Sequence, residues 1–136
     1  MGETARERKP SLVMAAKMGD AHVVNFLTSQ VLDEMNVQQL GAELNDLVDK
    51  QYATLMVINF SKIKFLSSAV LGKLISLNKK IVGLKGHLAF CTINPDIMEV
   101  FKITRLDKLI PIFDTEDEAL RAVERPGTFG GKGLFK

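Results

Sequence analysis

The segment Thr54-Leu55-Met56-Val57-Ile58-Asn59-Phe60 runs through Ser61-Lys62-Ile63-Lys64 into Phe65-Leu66-Ser67-Ser68-Ala69-Val70-Leu71-Gly72. The first part is nearly all apolar, the pattern of a central strand covered on both faces. The last part opens a helix. Val70, Leu71, Leu74, Leu77, Asn78 and Ile81 recur on one side of it, with Lys73, Ser76 and Lys80 on the other. Gly83 and Gly86 end it. Two hydroxyls thus stand where a helix begins, beside backbone N–H groups that have no partner within the helix. One Ser there is a helix cap. A second Ser with lysines around it makes this helix end a candidate contact site, able to carry a phosphate.

The flanking sequence repeats the alternation. Leu12–Lys17 and His22–Leu27 read as short strands around the turn Met18-Gly19-Asp20-Ala21. Val37, Leu40, Leu44, Leu47 and Val48 then recur at helical spacing. His87–Ile93 is a second apolar strand. Asn94-Pro95 starts a third helix, because Asn caps and Pro fits the first helical position. Its inward face would carry Ile97, Val100, Phe101 and Leu106. Ile110–Phe113 is a last short strand, and Thr115-Glu116-Asp117-Glu118 is a capping box for a helix through Glu124. The order β-β-α-β-α-β-α-β-α, with right-handed crossovers, predicts an α/β fold. It has a mostly parallel β-sheet, an N-terminal antiparallel hairpin and about four α-helices.

Length permits one domain. It is expected over residues 11–124, between a charged N-terminal tail (1–10) and a glycine-rich C-terminal tail (125–136) in which Phe129 and Phe135 stand out. An apolar share of 46% with 25% charged residues describes a soluble globular chain. A net charge of +2 gives no global field toward nucleic acid or membrane. No apolar run reaches the roughly 20 residues of a membrane span, and the N-terminus has no secretory pattern. Cys91 is alone, in keeping with a reducing cytoplasm. No catalytic constellation appears. His22 and His87 lie in strand patterns with no ligand-spaced Cys or carboxylate. There is no dinucleotide fingerprint, and Ser68 lacks the Gly-x-Ser-x-Gly frame. The expectation is a binding protein, with no enzyme activity, metal, cofactor or small-molecule substrate.

The segment around Ser67-Ser68, together with Asn94-Pro95-Asp96-Ile97-Met98-Glu99-Val100-Phe101-Lys102-Ile103-Thr104-Arg105-Leu106, resembles a STAS domain of the bacterial anti-sigma factor antagonist type. The likeness covers about residues 11–124. The family hallmark is Asp-Ser-Ser/Thr-Gly-Leu-Gly. Anchored on Gly72, its phosphorylated Ser falls on Ser68. The hallmark Asp is Ser67 here, the second hydroxyl is Ala69, the Gly is Val70, and the strand's usual terminal Asp is Asn59. The resemblance implies a protein that binds an anti-sigma factor, commonly a serine protein kinase, and so frees a sigma factor. Phosphorylation by the kinase releases the antagonist, and a phosphatase resets it. It implies a partner surface from Asn59, Ser61, Lys62, Lys64, Ser67, Ser68, Ala69, Gly72 and Lys73, with Asp33 in the stretch Asp33-Glu34-Met35-Asn36. Because two acids are neutral and Lys62, Lys64 and Lys73 stand close in sequence, this site is expected to be more electropositive than is typical. The alternative is a STAS scaffold without phosphorylation, in a sensory assembly or as a regulatory subunit of a transporter.

Overall fold

The computed structural model describes residues 10–125. The two expected tails, apart from Pro10 and Arg125, lie outside the described residues. Seven strands are formed: β1 (Val13–Met18), β2 (Ala21–Phe26), β3 (Gln30–Val31), β4 (Leu55–Asn59), β5 (Phe65–Leu66), β6 (His87–Cys91) and β7 (Ile112–Phe113). Five helices accompany them: α1 (Glu34–Gln51), α2 (Ser68–Gly83), α3 (Pro95–Ile103), α4 (Leu106–Leu109) and α5 (Glu116–Glu124).

The main sheet has the order β1-β2-β4-β6-β7. β2, β4, β6 and β7 run parallel, and β1 pairs antiparallel with β2. The hairpin turns at Gly19, whose φ of 64° is the left-handed conformation that glycine adopts without strain. The parallel sheet with its antiparallel hairpin is the architecture expected from sequence. Helices α1 to α4 cover one face, and their apolar residues join Val24, Phe26, Met56, Ile58, Leu88 and Phe90 in the main core. Among the described residues helix α5 alone covers the other face, packing Ala119 and Val123 on Ala21, Val23, Val57, Ala89 and Cys91.

Four phenylalanines meet at the carboxyl end of the parallel strands. Phe60 stacks against Phe26, Phe90 and Phe101 with ring centroids 5.3, 4.9 and 5.7 Å away. These are favourable edge and tilted contacts. Phe60 also donates its N–H to Cys91 O at 3.0 Å and accepts from Ile63 N at 2.9 Å. The chain leaving β4 is therefore fixed by its side chain and its backbone at once.

The sequence reading differs from the structure in several places, beginning with the second apolar strand, which ends at Cys91 rather than Ile93. β3 and β5 are strands of two residues each, too short to show alternation. The third predicted helix is two helices, because Arg105 takes a left-handed φ of 63° and breaks the ladder. Leu106 is buried but belongs to α4. Val100, expected to point inward, is exposed, since Ile97 and Phe101 already fill the inward side of α3. The last strand shrinks to Ile112–Phe113, with Ile110 and Pro111 buried ahead of it.

Two predictions follow from this packing. Phe60→Ala is expected to cost about 3–5 kcal/mol, the range for losing a buried aromatic ring, measured by urea unfolding. A loss below about 1 kcal/mol would contradict the role given to this ring. The second concerns pH. Burial, and then Lys17 across the hairpin, lower the pKa of His22 from 6.5, and burial lowers that of His87. On acidification the unfolded chain takes up these protons first, so stability falls as pH drops through about 6.5. The urea midpoint should decline from pH 7.5 to pH 5.5 (about two units spanning the ordinary His pKa), and His22→Gln should flatten the decline. An unchanged slope would refute the assignment to His22.

Candidate functional site

The site is built from three loops at the carboxyl ends of β2, β4 and β6, where binding sites gather in open α/β sheets. A small parallel ladder, β3 with β5, joins the first two loops, pairing Gln30 with Phe65 and Val31 with Leu66. Lys64 N donates to Ser29 O at 2.7 Å, and Ser67 N to Val31 O at 2.9 Å. The third loop is tied in by Asn94. Its Nδ2 donates to Ile63 O at 2.8 Å, while its Oδ1 caps α3 by accepting from Ile97 N at 3.0 Å. The approach to Ser67-Ser68 is thus held from both sides.

Ser67 and Ser68 divide the work. Ser67 is the N-cap of α2, in extended backbone (φ −73°, ψ 149°), and its Oγ accepts from Ala69 N at 3.0 Å. An Asp at this position would cap equally well, so Ser67 keeps the cap without the charge. Ser68 is the first helical residue and is exposed. Its hydroxyl makes no hydrogen bond among the described residues. The first turn of α2 contains no acid, so the positive end of the helix dipole is not offset there.

The other expected residues fall into distinct settings. Asn59 ends β4 and bridges two elements. Its Nδ2 donates to Glu116 Oε1 at 2.9 Å, and its Oδ1 accepts from Ser61 N at 2.8 Å. Ser61, Lys62, Lys64 and Ala69 are exposed. No carboxylate lies within ion-pair distance of Lys62 or Lys64 among the described residues. Lys73 is drawn toward α1 instead: its Nζ donates to Gln38 Oε1 at 3.0 Å and its stem lies over Gly41. Asp33 is the N-cap of α1, where its carboxylate accepts from Asn36 N at 2.8 Å and Asn36 Nδ2 at 3.3 Å. Val70, at the hallmark glycine, is fully buried in the main core. Gly72 shares a face with Ser68 one turn on, and a Cβ added there would meet nothing within 4 Å.

The sequence reading did not single out the apolar rim. Phe65 on β5, Leu32 just after β3 and Met35 in the first turn of α1 are 59%, 48% and 60% exposed. The available signal was large apolar side chains among polar neighbours, as in Asp33-Glu34-Met35-Asn36. Cys91, directly paired with Asn59 in register, is fully buried. Burial pushes its thiol pKa up, Glu116 adds to this, and a hydrogen bond with Thr92 opposes it. It is a packed hydrophobe rather than a nucleophile. No group of His, Cys, Asp and Glu able to hold a metal occurs among the described residues. None of the helices there is long and apolar enough to cross a membrane.

Two substitutions test this division of roles by urea unfolding. Ser67→Ala should cost about 1 kcal/mol, the usual loss of an N-cap. Gly72→Ala should gain about 0.5–1 kcal/mol, because an exposed mid-helix glycine serves no internal contact. Effects of the same sign at both positions would contradict this account.

Comparison with known proteins agrees with this layout. A family model for the STAS domain matches residues 16–119. BtrV of Bordetella bronchiseptica, provisionally named an anti-sigma factor antagonist, is 29% identical over 92 residues, covering 68% of this chain and 78% of its own. Among solved structures, an anti-sigma factor antagonist from Mycobacterium paratuberculosis aligns with a TM-score of 0.73 at 24% identity, over 82% of this chain and 92% of that one. The phosphorylated form of the Bacillus cell fate determinant SpoIIAA aligns with a TM-score of 0.63 at 20% identity, over 82% and 98%. Strand order, the helix that starts at Ser67-Ser68 and the matched span together place the chain in the STAS domain family.

Proposed function

We propose that this protein is an anti-sigma factor antagonist, a cytoplasmic binding module that captures an anti-sigma factor of the serine kinase type through the Ser68 tip. Phosphorylation of Ser68 by that kinase ends the complex, and a phosphatase restores it. The observation that carries the reading is the division between the two serines. Ser67 caps the helix, so the exposed Ser68 hydroxyl has no structural duty.

A phosphate on Ser68 would add about −1.5 to −2 charges and three acceptor oxygens. The start of α2 tolerates it, since backbone N–H groups and the dipole favour an anion there. A partner packed on the tip would lose its contact through desolvation and repulsion from its own acids. The switch thus needs no change of fold. Phe65, Leu32 and Met35 supply apolar area for the unmodified complex, and the bare surface at Gly72 allows close approach. Relatives are named as anti-sigma factor antagonists, and SpoIIAA, of the same fold, is known in phosphorylated form. Both support the reading.

The second reading is a STAS scaffold that binds without being switched. The loss of the hallmark acid at Ser67 favours it, because no carboxylate stands beside the hydroxyl to orient a kinase.

Incubation with a cognate anti-sigma kinase and ATP, followed by mass spectrometry, separates the two. Phosphate is expected on Ser68. In calorimetry, Ser68→Asp should weaken binding more than ten-fold (about 1.4 kcal/mol), and Ser68→Ala should bind like the parent. Phosphate on none of residues 61–68, with equal affinity for both variants, would leave the scaffold.

A further inference from the structure

The free edge of β1 carries a second interaction surface, which is independent of the Ser68 tip. Among the described residues β1 is the outermost strand of the main sheet and pairs only with β2. Its hydrogen-bonding pattern is fixed by one bond, Leu27 N to Leu12 O at 2.7 Å. Antiparallel pairs alternate. From the register, Met14, Ala16 and Met18 therefore bond inward to β2. Val13, Ala15 and Lys17 turn their N–H and C=O groups to the open edge.

One of those three donors is already satisfied. Glu43 of α1 reaches across, and its Oε1 accepts from Val13 N at 3.2 Å and from Leu12 N at 3.1 Å. Among the described residues this leaves the N–H groups of Ala15 and Lys17 for a new strand. The side chains are equally uneven. Ala15 packs on the main core, whereas Met14, Ala16 and Met18 point to the opposite face and are exposed. The core beneath α5 includes none of them. An edge strand with an uncovered apolar row and no proline or bulge is a template for pairing.

We infer that the occupant of this edge is a second copy of the chain, joined β1 to β1 in antiparallel fashion about a two-fold axis at Ala16. The register follows from the donors. Pairing Ala15 with the partner's Lys17, and Lys17 with the partner's Ala15, uses the two open N–H groups of each copy. A register centred on Ala15 would need the N–H of Val13, which Glu43 holds. In the inferred register Ala16 faces the partner's Ala16, and Met14 faces the partner's Met18. The small residue sits on the axis, and the two methionine pairs cover the bare row on either side.

Charge fits the same arrangement. A groove of about 350 Å³ runs between the β1 edge and α1, lined by Val13, Ala15, Leu47, Glu43, Asp46 and Lys50 among others. The partner's Lys17, set opposite Ala15, enters over this groove. There Asp46 pairs with Lys50 at 3.6 Å, and Glu43 adds a further carboxylate. The one charged side chain of β1 thus meets a groove with an excess of acid.

The test uses the full chain. A contact this small belongs to the weak class, so sedimentation equilibrium is run up to about 1 mM, the concentration that matches a binding free energy near −4 kcal/mol. The average mass should rise toward twice that of one chain. Ala16→Glu sets two carboxylates face to face on the axis at an exposed position and should remain monomeric. Under oxidised glutathione, Ala16→Cys should form a disulfide-linked dimer, since directly opposed positions fall within bridging distance. Met14→Cys should not, because its counterpart lies four residues along the partner strand. The native Cys91 is buried and does not compete. A chain that stays monomeric throughout, a dimer unaffected by Ala16→Glu, or equal cross-linking of the two cysteine variants would overturn the inference.

Discussion

The Ser68 tip depends on Phe60. This residue follows the last residue of β4, where the chain must turn from a buried sheet into an exposed loop. Its ring lies among Phe26, Phe90 and Phe101, and its backbone holds both Cys91 and Ile63. Burying one such ring contributes about 1.5–3 kcal/mol, and aromatic pairs add to it. That is enough to hold a short loop without regular structure of its own. The hydrogen bonds from Asn94, Ser67 and Lys64 then lock the loop to its neighbours. A tip held in this way presents Ser68 at a fixed place, so partner recognition need not include the entropy of ordering the loop.

Much of this was legible in the sequence because the physics is local and periodic. The apolar run at Met56–Ile58 and the helical stripe from Val70 to Ile81 each name their own element. Asn94-Pro95 and Thr115 mark helix starts through capping chemistry, and both caps are present. The unread parts are tertiary. Nothing in Gln30-Val31 or Phe65-Leu66 distinguishes a ladder of two residues from plain loop. Arg105 became left-handed in a segment with no glycine to announce it. Val100 keeps helical spacing with its neighbours, but a helix of nine residues with two fully seated apolar side chains has no room for a third. At the site, Ser67-Ser68 could be placed at a helix start from sequence. Which serine caps and which is free is decided by the side-chain geometry alone.

The departures from the family hallmark acquire a physical sense in the same geometry. Ser67 retains the cap and loses a charge. Val70 retains helix and contributes to the core. Asn59 accepts from Ser61 N as a carboxylate could, and also donates to Glu116, which a carboxylate could not. Each change keeps the scaffold, and together they remove negative charge from the tip. Lys62 and Lys64 stand exposed there, with no carboxylate in ion-pair distance among the described residues. In the proposed function an acidic partner surface would complement them, and attraction of this kind acts mainly on association rate and specificity.

The direction of β1 links the two surfaces. β1 runs opposite to the rest of the main sheet, so its start lies at the same end as the Ser68 loops and its end lies at the other. A two-fold axis through Ala16 reverses this for the second copy. The two Ser68 tips then point to opposite ends of a continuous sheet, and neither shields the other. If both proposals hold, two partner molecules would be held at once without sharing a contact. Any gain from such an arrangement comes from linking two sites on one body, with the effective concentration set by the span between them. Glu43 has the deciding part in that geometry. By holding Val13 N it shortens the open edge to two residues and excludes a register centred on Ala15.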